Sequence, residues 1–440
     1  MRVIAVLGSG MAGLGAATRL QQEGLSPVVF DMNGHLGGHT FSHAGSNGFV
    51  FDEGPHISFT KDKRIQAFFA DNVRGQFEVI HARVNNYWQG RSIKHPAQCN
   101  LYGLPTDLVV KILKEIVDAH YTESKPSNYE DWLIASFGRT FAETFPMQYG
   151  QKYHTTEASN MSLDWLGPRL YRPGLEEVFR GALTPETSEV HYITEFRYPS
   201  QGGFVSFLKP FAEGLDLRLN HRLTRLDPKA RTLKFANDRV VNYDQVVSSI
   251  PLPELVKLIT GAPKAVVEAA SRLACSTCVV VNVGLDRADV SDWHWTYFYD
   301  DDFSFSRISF PLKLSTNNAA ACMWSIQVEV YFSAKYKPLT QAPADLVAPV
   351  IGDLRRCGLI RDRDRIVCTS ALEVKYANVI FDLDRADAVR IVHAYLDDIG
   401  VRYCGRYGEW GYLWTDESFI SGEKAAERAI AALSGAAIRS

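Results

Sequence analysis

The chain opens on an apolar run ending at Leu7, rich in β-branched residues from Arg2 onward, which predicts a strand buried on both faces of a parallel sheet. Ala16, Ala17 and Leu20 then share one helical stripe, and Pro27 to Phe30 predicts a second short strand. From about 62 to 190 the helical period dominates. TDLVVKILKEIVDAHY and NYEDWLIASFGRTFAETF read as amphipathic helices, the latter with Asn128 as N-cap. SLDWLGPRLY predicts a further helix capped by Ser162 and broken near Pro168. The stretch from Gly202 reads as helix, strand, strand, turn, strand, closing with Gln245 to Ile250. From about 275 to 335 the period shortens to two in CVVVNVGL, WTYFYD, FSRISFP and MWSIQVEVYF, which predicts a broad antiparallel sheet flooring a site. The tail predicts a strand, a glycine-rich loop and a helix starting near Ser418 to Ser421.

What lies between the first elements carries chemistry. Gly8, Gly10 and Gly13 stand at GxGxxG spacing between strand and helix. At that spacing the first glycine makes the turn, the second admits a pyrophosphate and the third lets helix and strand pack closely. Met11 and Ala12 would then offer the helix's first N–H groups. Asp31, closing the second strand about twenty residues on, is placed to hold ribose hydroxyls. A second pair, Gly37-Gly38, follows at once with His39 and Thr40, in a segment an NAD domain does not need.

Composition narrows the class. A chain of 440 residues is long enough for two or three domains, and a net charge of −3 gives no case for nucleic acid or an anionic membrane. No apolar run is long enough to span a membrane. Seven scattered cysteines argue for reduced thiols in a cytoplasmic protein. Cys275 and Cys278 form a CxxC within a predicted strand and read as packed thiols; no metal site is expected. With 27 Trp and Tyr residues the chain can line a cleft with flat rings.

The glycine pair after Asp31 resembles the motif of FAD proteins of the glutathione-reductase-like, amine-oxidase-like group. The tail GRYGEW…DESFISGEKAA resembles that group's C-terminal flavin motif. Four stretches resemble UDP-galactopyranose mutases: FDEGPHISFT, MQYGQKYHTTEASNMSLDWLGPRLYRP, DFSFSRISFPLKLS with MWSIQVEV, and GRYGEWGY. The resemblance reaches both ends and the middle of the chain. It departs from the bacterial pattern at Lys152-Tyr153, and the longer nucleotide-binding insertion of the eukaryotic type is missing.

This resemblance implies an α/β fold: a glutathione-reductase-like FAD-binding Rossmann domain with a helical insertion, and a substrate domain on an antiparallel sheet. The implied boundaries are 1–60, 196–262 and 396–440 for the FAD-binding domain, 61–195 for the mainly helical part and 263–395 for the sheet domain. It implies FAD held by the residues above and by Gly54, Pro55, His56, Gly405, Arg406, Asp416 and Ser421. It implies a nucleoside-diphosphate sugar as substrate, with a homo-oligomer possible. Arg307 and Arg406 would take the diphosphate through their planar forks. Tyr376 and Tyr412 would donate hydroxyls, with Lys152, Tyr153, Trp165 and Arg169 around the sugar or base. His56, Arg307 and Arg406 would serve the reaction, a pyranose–furanose ring-size change through an adduct with reduced flavin N5. The alternative is an oxidoreductase of the amine oxidase or protoporphyrinogen oxidase type on the same fold.

Overall fold

The computed structural model describes residues 2–167, 170–188, 190 and 193–437. A five-stranded, wholly parallel sheet carries the first strand, Ile4–Leu7, at its centre. It pairs with Val28–Phe30 on one side and Gln245–Ser248 on the other; Asp216–Arg218 and Val401–Tyr403 form the edges. The sheet thus draws strands from three separated stretches of the chain. Alternation decides its layers. Ile4 and Val6 face the helices Met11–Gln22 and Thr415–Ala437, while Ala5 and Leu7 face a core shared with the antiparallel meander of Leu223, Leu233 and Phe235.

The second sheet has seven strands. In spatial order they are Ile366–Val374, Ser276–Leu285, Trp324–Ser333, Arg307–Ser309, Trp295–Phe298, Val84–Trp88 and Arg91–Lys94. The strands expected between about 275 and 335 pair antiparallel with one another, while Val84–Trp88, from outside that stretch, joins parallel to Trp295–Phe298. Val279, Val281, Ile308, Ile326 and Val328 turn to a core closed by the helix Val347–Arg356. The alternate residues Cys278, Val280, Arg307, Glu329 and Tyr331 turn the other way and line a cavity.

Several expectations are corrected. The stretch taken as helical contains three strands: Phe77–His81, and the hairpin Val84–Trp88 with Arg91–Lys94. Gln89 and Gly90 both take positive φ in that hairpin's turn, the geometry a two-residue loop needs. No α-helix starts after Ser162 over the described residues up to 167, where Gly167 enters a 3₁₀ turn. The helix predicted after Gly203 is two short 3₁₀ turns, Phe204–Phe207 and Lys209–Ala212, separated where Pro210 cannot donate to a continuing ladder. The C-terminal helix starts earlier than expected, at Thr415. Asn128 does cap its helix, its Oδ1 accepting from Asp131 N–H at 2.9 Å.

Candidate active site

The site begins at the glycine loop. Gly8 has φ +103°, which a side chain rarely adopts. Gly13 sits so close that a Cβ would stand 1.8 Å from the Gly8 carbonyl oxygen. Gly10 opens the helix without any side-chain cap, so the N–H groups of its first turn are offered outward with the positive end of the dipole. Gly37 and Gly38 cross directly over this turn. Gly37 N–H donates to the Ser9 carbonyl at 2.9 Å, and a Cβ on Gly38 would meet Gly10 Cα at 3.2 Å. Thr40 braces the crossing by donating to the Gly37 carbonyl at 2.7 Å. Asp31 closes the second strand. Its Oδ2 accepts from both Ser9 N–H and Ser9 Oγ at 2.7 Å, while Oδ1 accepts from Asn33 N–H alone and keeps capacity for a hydroxyl.

From this crossing the chain runs on into the cavity wall at His39. The roof and walls come from His39, the loop Glu53 to Ile57, and Arg406, Tyr407, Tyr412, Trp414 and Thr415. His56 Nε2 is buried with no protein partner. Burial pushes the His56 ring down to about 4, so it is neutral near pH 7. His39 is likewise held below its ordinary range by burial. Asp52, just behind this loop, is buried and pushed up to about 6 by that burial, against hydrogen bonds from Ser42, Phe204 N–H and Tyr198.

The floor is the sheet face described above. The cross-strand register sets Arg307 opposite Glu329, and the two form a bidentate pair at 2.8 and 2.7 Å. Tyr331 donates to the same carboxylate at 2.9 Å. Burial works against the Arg307 charge, but Glu329 more than offsets it and holds the guanidinium above its ordinary range. An arginine expected to need an outside anion therefore carries its own. Arg406 differs. Its Nε donates to the Leu413 carbonyl at 2.8 Å, its Nη1 approaches the Ala377 carbonyl and Asn378 Oδ1 at 3.3 Å, and it stands over the Tyr412 ring. It has no carboxylate within ion-pair distance among the described residues.

The other expected residues divide. Tyr153 and Tyr412 line the cavity with their hydroxyl oxygens 3.1 Å apart. Tyr376 also lines it, but its hydroxyl donates to Glu254 at 2.7 Å rather than standing free for a phosphate. Lys152 does not line it. Its ammonium donates to the Asp300 and Phe305 carbonyls at 2.7 and 3.0 Å, and burial pushes it down to about 8. Trp165 packs behind the wall, against Tyr129, His154 and Tyr412. Ser421 faces inward: it accepts from Gly405 N–H at 2.8 Å and donates to Glu409, so it holds the loop instead of facing a ligand. Gly405 has φ +76° and packs on Ala12. Asp416 lies in the first turn of the C-terminal helix beside Thr415, which reaches the cavity. Gly54, with φ +92°, and Pro55 form the bend that carries His56. Arg169 lies outside the described residues.

Sequence reasoning missed Glu329, Glu53, Tyr297, Tyr331 and Tyr407, all of which line the cavity. Glu329 had a signal: it is the one charge in a ten-residue strand whose every residue is buried, a costly place for an unpaired carboxylate.

These features suit FAD. An uncapped helix N-terminus under a glycine crossing fits a pyrophosphate. Asp31 fits a ribose, and the orphaned His56 Nε2 fits a ring placed in the cavity. No helix among the described residues is long and apolar enough to cross a membrane.

Comparison with known proteins agrees. A profile of flavin-containing amine oxidoreductases matches residues 11–430. Among solved structures, the fold is similar to reduced UDP-galactopyranose mutase, with TM-score 0.91 and 24% identity over 98% of this chain and 96% of that one. It is also similar to a redesigned putrescine oxidase, with TM-score 0.67 and 16% identity over 98% and 99% of the two chains. A curated relative, 4,4'-diaponeurosporene oxygenase of Staphylococcus aureus, is 44% identical over 54 residues, which span 12% of this chain and 11% of that protein. The chain belongs to the flavin-containing amine oxidoreductase family, as a flavin-dependent enzyme whose cofactor is FAD.

Proposed function

We propose that this enzyme is a nucleotide-sugar mutase that interconverts pyranose and furanose ring forms. The observation that carries the reading is Arg406, a half-buried cation in the cavity wall with carbonyl and amide oxygens around it and, among the described residues, no carboxylate within ion-pair distance. Such a guanidinium is best satisfied by a ligand anion. The likeness to UDP-galactopyranose mutase along nearly the whole chain supports the same reading. A bound flavin, when reduced, supplies the nucleophile toward the anomeric carbon. The chain's own residues bind and orient. Arg406 holds the diphosphate as it leaves and returns. Tyr153 and Tyr412 set hydroxyls beside it, and the aromatic walls exclude water from the opened sugar. His56, neutral at working pH, offers a hydrogen bond without adding charge.

One observation favours a second reading. Because Glu329 neutralises Arg307, the cavity offers, among the described residues, one uncompensated guanidinium and not two. That balance suits an oxidoreductase acting on a substrate with less negative charge. Calorimetric titration of the dithionite-reduced protein with UDP and UDP-galactose separates the two. The mutase reading expects binding, a ring-size isomer on chromatography, and a loss of roughly 1.5–3 kcal/mol in Arg406→Ala. A wild type that binds neither compound would leave the oxidoreductase in its place.

A further inference from the structure

One end of the cavity carries polar groups to which the readings above give no role. We propose that Ser309 and His294 form an uncharged hydrogen-bonding subsite that takes a carbonyl or hydroxyl oxygen of the ligand. Ser309 follows Arg307 by two residues on the same strand, so both side chains face the cavity. It is 3% exposed, and its Oγ is buried without a partner. A buried hydroxyl left unmade is costly, so its persistence in a cavity wall points to a ligand. His294 lies next to it: its carbonyl accepts from Phe310 N–H at 3.0 Å, and it lines the same cavity. His294 Nδ1 accepts from Arg83 N–H at 2.8 Å. A neutral ring that accepts at Nδ1 carries its proton at Nε2, which fixes a donor. Burial pushes this ring down to about 4, so it is neutral through the physiological range.

The surroundings select the chemistry. Ile193, Trp295 and Leu314 complete this end of the cavity and carry no charge. The neighbouring Lys313 is directed to Asp292 at 3.8 Å. Lys313 and Arg83 are close enough to disfavour a charge on the His294 ring, but neither lines the cavity, and the groups that do at this end are uncharged. A neutral oxygen would accept from His294 and either accept from or donate to Ser309. Two sources can supply it: the sugar or base of the substrate, which rests on the mutase reading, or a ring carbonyl of the flavin, which does not.

The test uses FAD-loaded Ser309→Ala, with Ser309→Thr retaining the hydroxyl. UDP and UDP-galactose are titrated in parallel into the reduced proteins, and the flavin absorbance spectrum and FAD affinity are recorded. The expected result is roughly three- to tenfold weaker UDP-galactose binding in Ser309→Ala, the loss of one hydrogen bond. The spectrum should stay unchanged; UDP binding should stay unchanged if the sugar supplies the oxygen and weaken by the same factor if the base does, and Ser309→Thr should stay near wild type. A shifted spectrum or weaker FAD binding with unchanged nucleotide affinity would assign the oxygen to the flavin. If Ser309→Ala changes neither, the subsite is overturned. Wild type that binds neither nucleotide ends the mutase reading; the subsite then survives only through the flavin measurements, and falls if those are unchanged too.

Discussion

At the glycine crossing, main chain meets main chain: Gly10, Gly13, Gly37 and Gly38 bring backbone within contact distance and leave helix N–H groups facing out. At the sheet floor, side chains meet: Arg307, Glu329 and Tyr331 come from two strands and satisfy one another. The first region makes an anion site from dipoles that cannot titrate and need no partner. The second buries full charges and is stable only while each keeps its counter-ion. One region thus tolerates no added atom and the other no lost charge.

The largest effect should come from adding an atom to the first. In Gly13→Ala the new Cβ would sit 1.8 Å from the Gly8 carbonyl oxygen, a backbone atom that cannot move without opening the turn. We expect no FAD-loaded protein to be recovered, measured as the ratio of flavin to protein absorbance. Normal loading would show that this packing is not what shapes the cofactor loop.

Removing a charge from the second should come next. Glu329→Ala strands a guanidinium that is only 23% exposed and should cost about 3 kcal/mol in urea unfolding, the low end for a buried pair. The double variant Arg307→Met with Glu329→Leu should recover most of that loss, because a buried pair replaced by apolar groups of similar volume is often neutral. FAD content should be retained in both. If the double variant is as unstable as the single one, the pair is not the unit that holds the floor.

The same contrast explains what could be read in advance. The parallel sheet and its glycine turn follow from local spacing: an apolar run, three glycines and an acid lie within about thirty residues of a βαβ unit. The pairing of Arg307 with Glu329 depends on a strand register across 22 positions, which alternation alone does not set. Lys152 sits one residue from Tyr153, yet a single helical step turns one to backbone carbonyls and the other to the cavity. The hairpin at Val84–Trp88 escaped notice because Asn85 and Asn86 are both buried, so its polar positions do not alternate with exposure. Ser421 has the residue type of a phosphate ligand, and only the fold shows that its hydroxyl is engaged by Gly405 and Glu409.

A smaller effect tests the junction of the two regions. Asp52 accepts from Gln327 of the floor strand Trp324–Ser333 at its carbonyl, and from Tyr198 and, on the glycine side, Ser42 at its carboxyl. Its folded pKa, about 6, lies above the ordinary carboxylate value. The stabilisation from its proton is therefore fully present below about pH 4 and is lost as pH rises through 6. From that shift, this group should lower unfolding free energy by roughly 2–3 kcal/mol between pH 4 and pH 7. Asp52→Asn should flatten that slope when urea unfolding is compared at several pH values. An unchanged slope would mean the carboxyl titrates normally.

The smallest effect falls where the two regimes share one residue. Ser421 belongs to the C-terminal helix, and its Oγ accepts from the N–H of Gly405, the residue that packs on Ala12 and precedes Arg406. If its role is to hold that loop, Ser421→Ala leaves one buried N–H unpaired and should cost about 1–2 kcal/mol of stability. FAD affinity should then hardly change, since the helix N-terminus and the glycine crossing are intact, and UDP binding should change no more than Arg406 is displaced. If Ser421 instead touched the cofactor, FAD affinity would fall by more than stability does. Measuring both on the same variant decides whether this serine belongs to the cofactor's contacts or to the scaffold that carries Arg406 into the cavity.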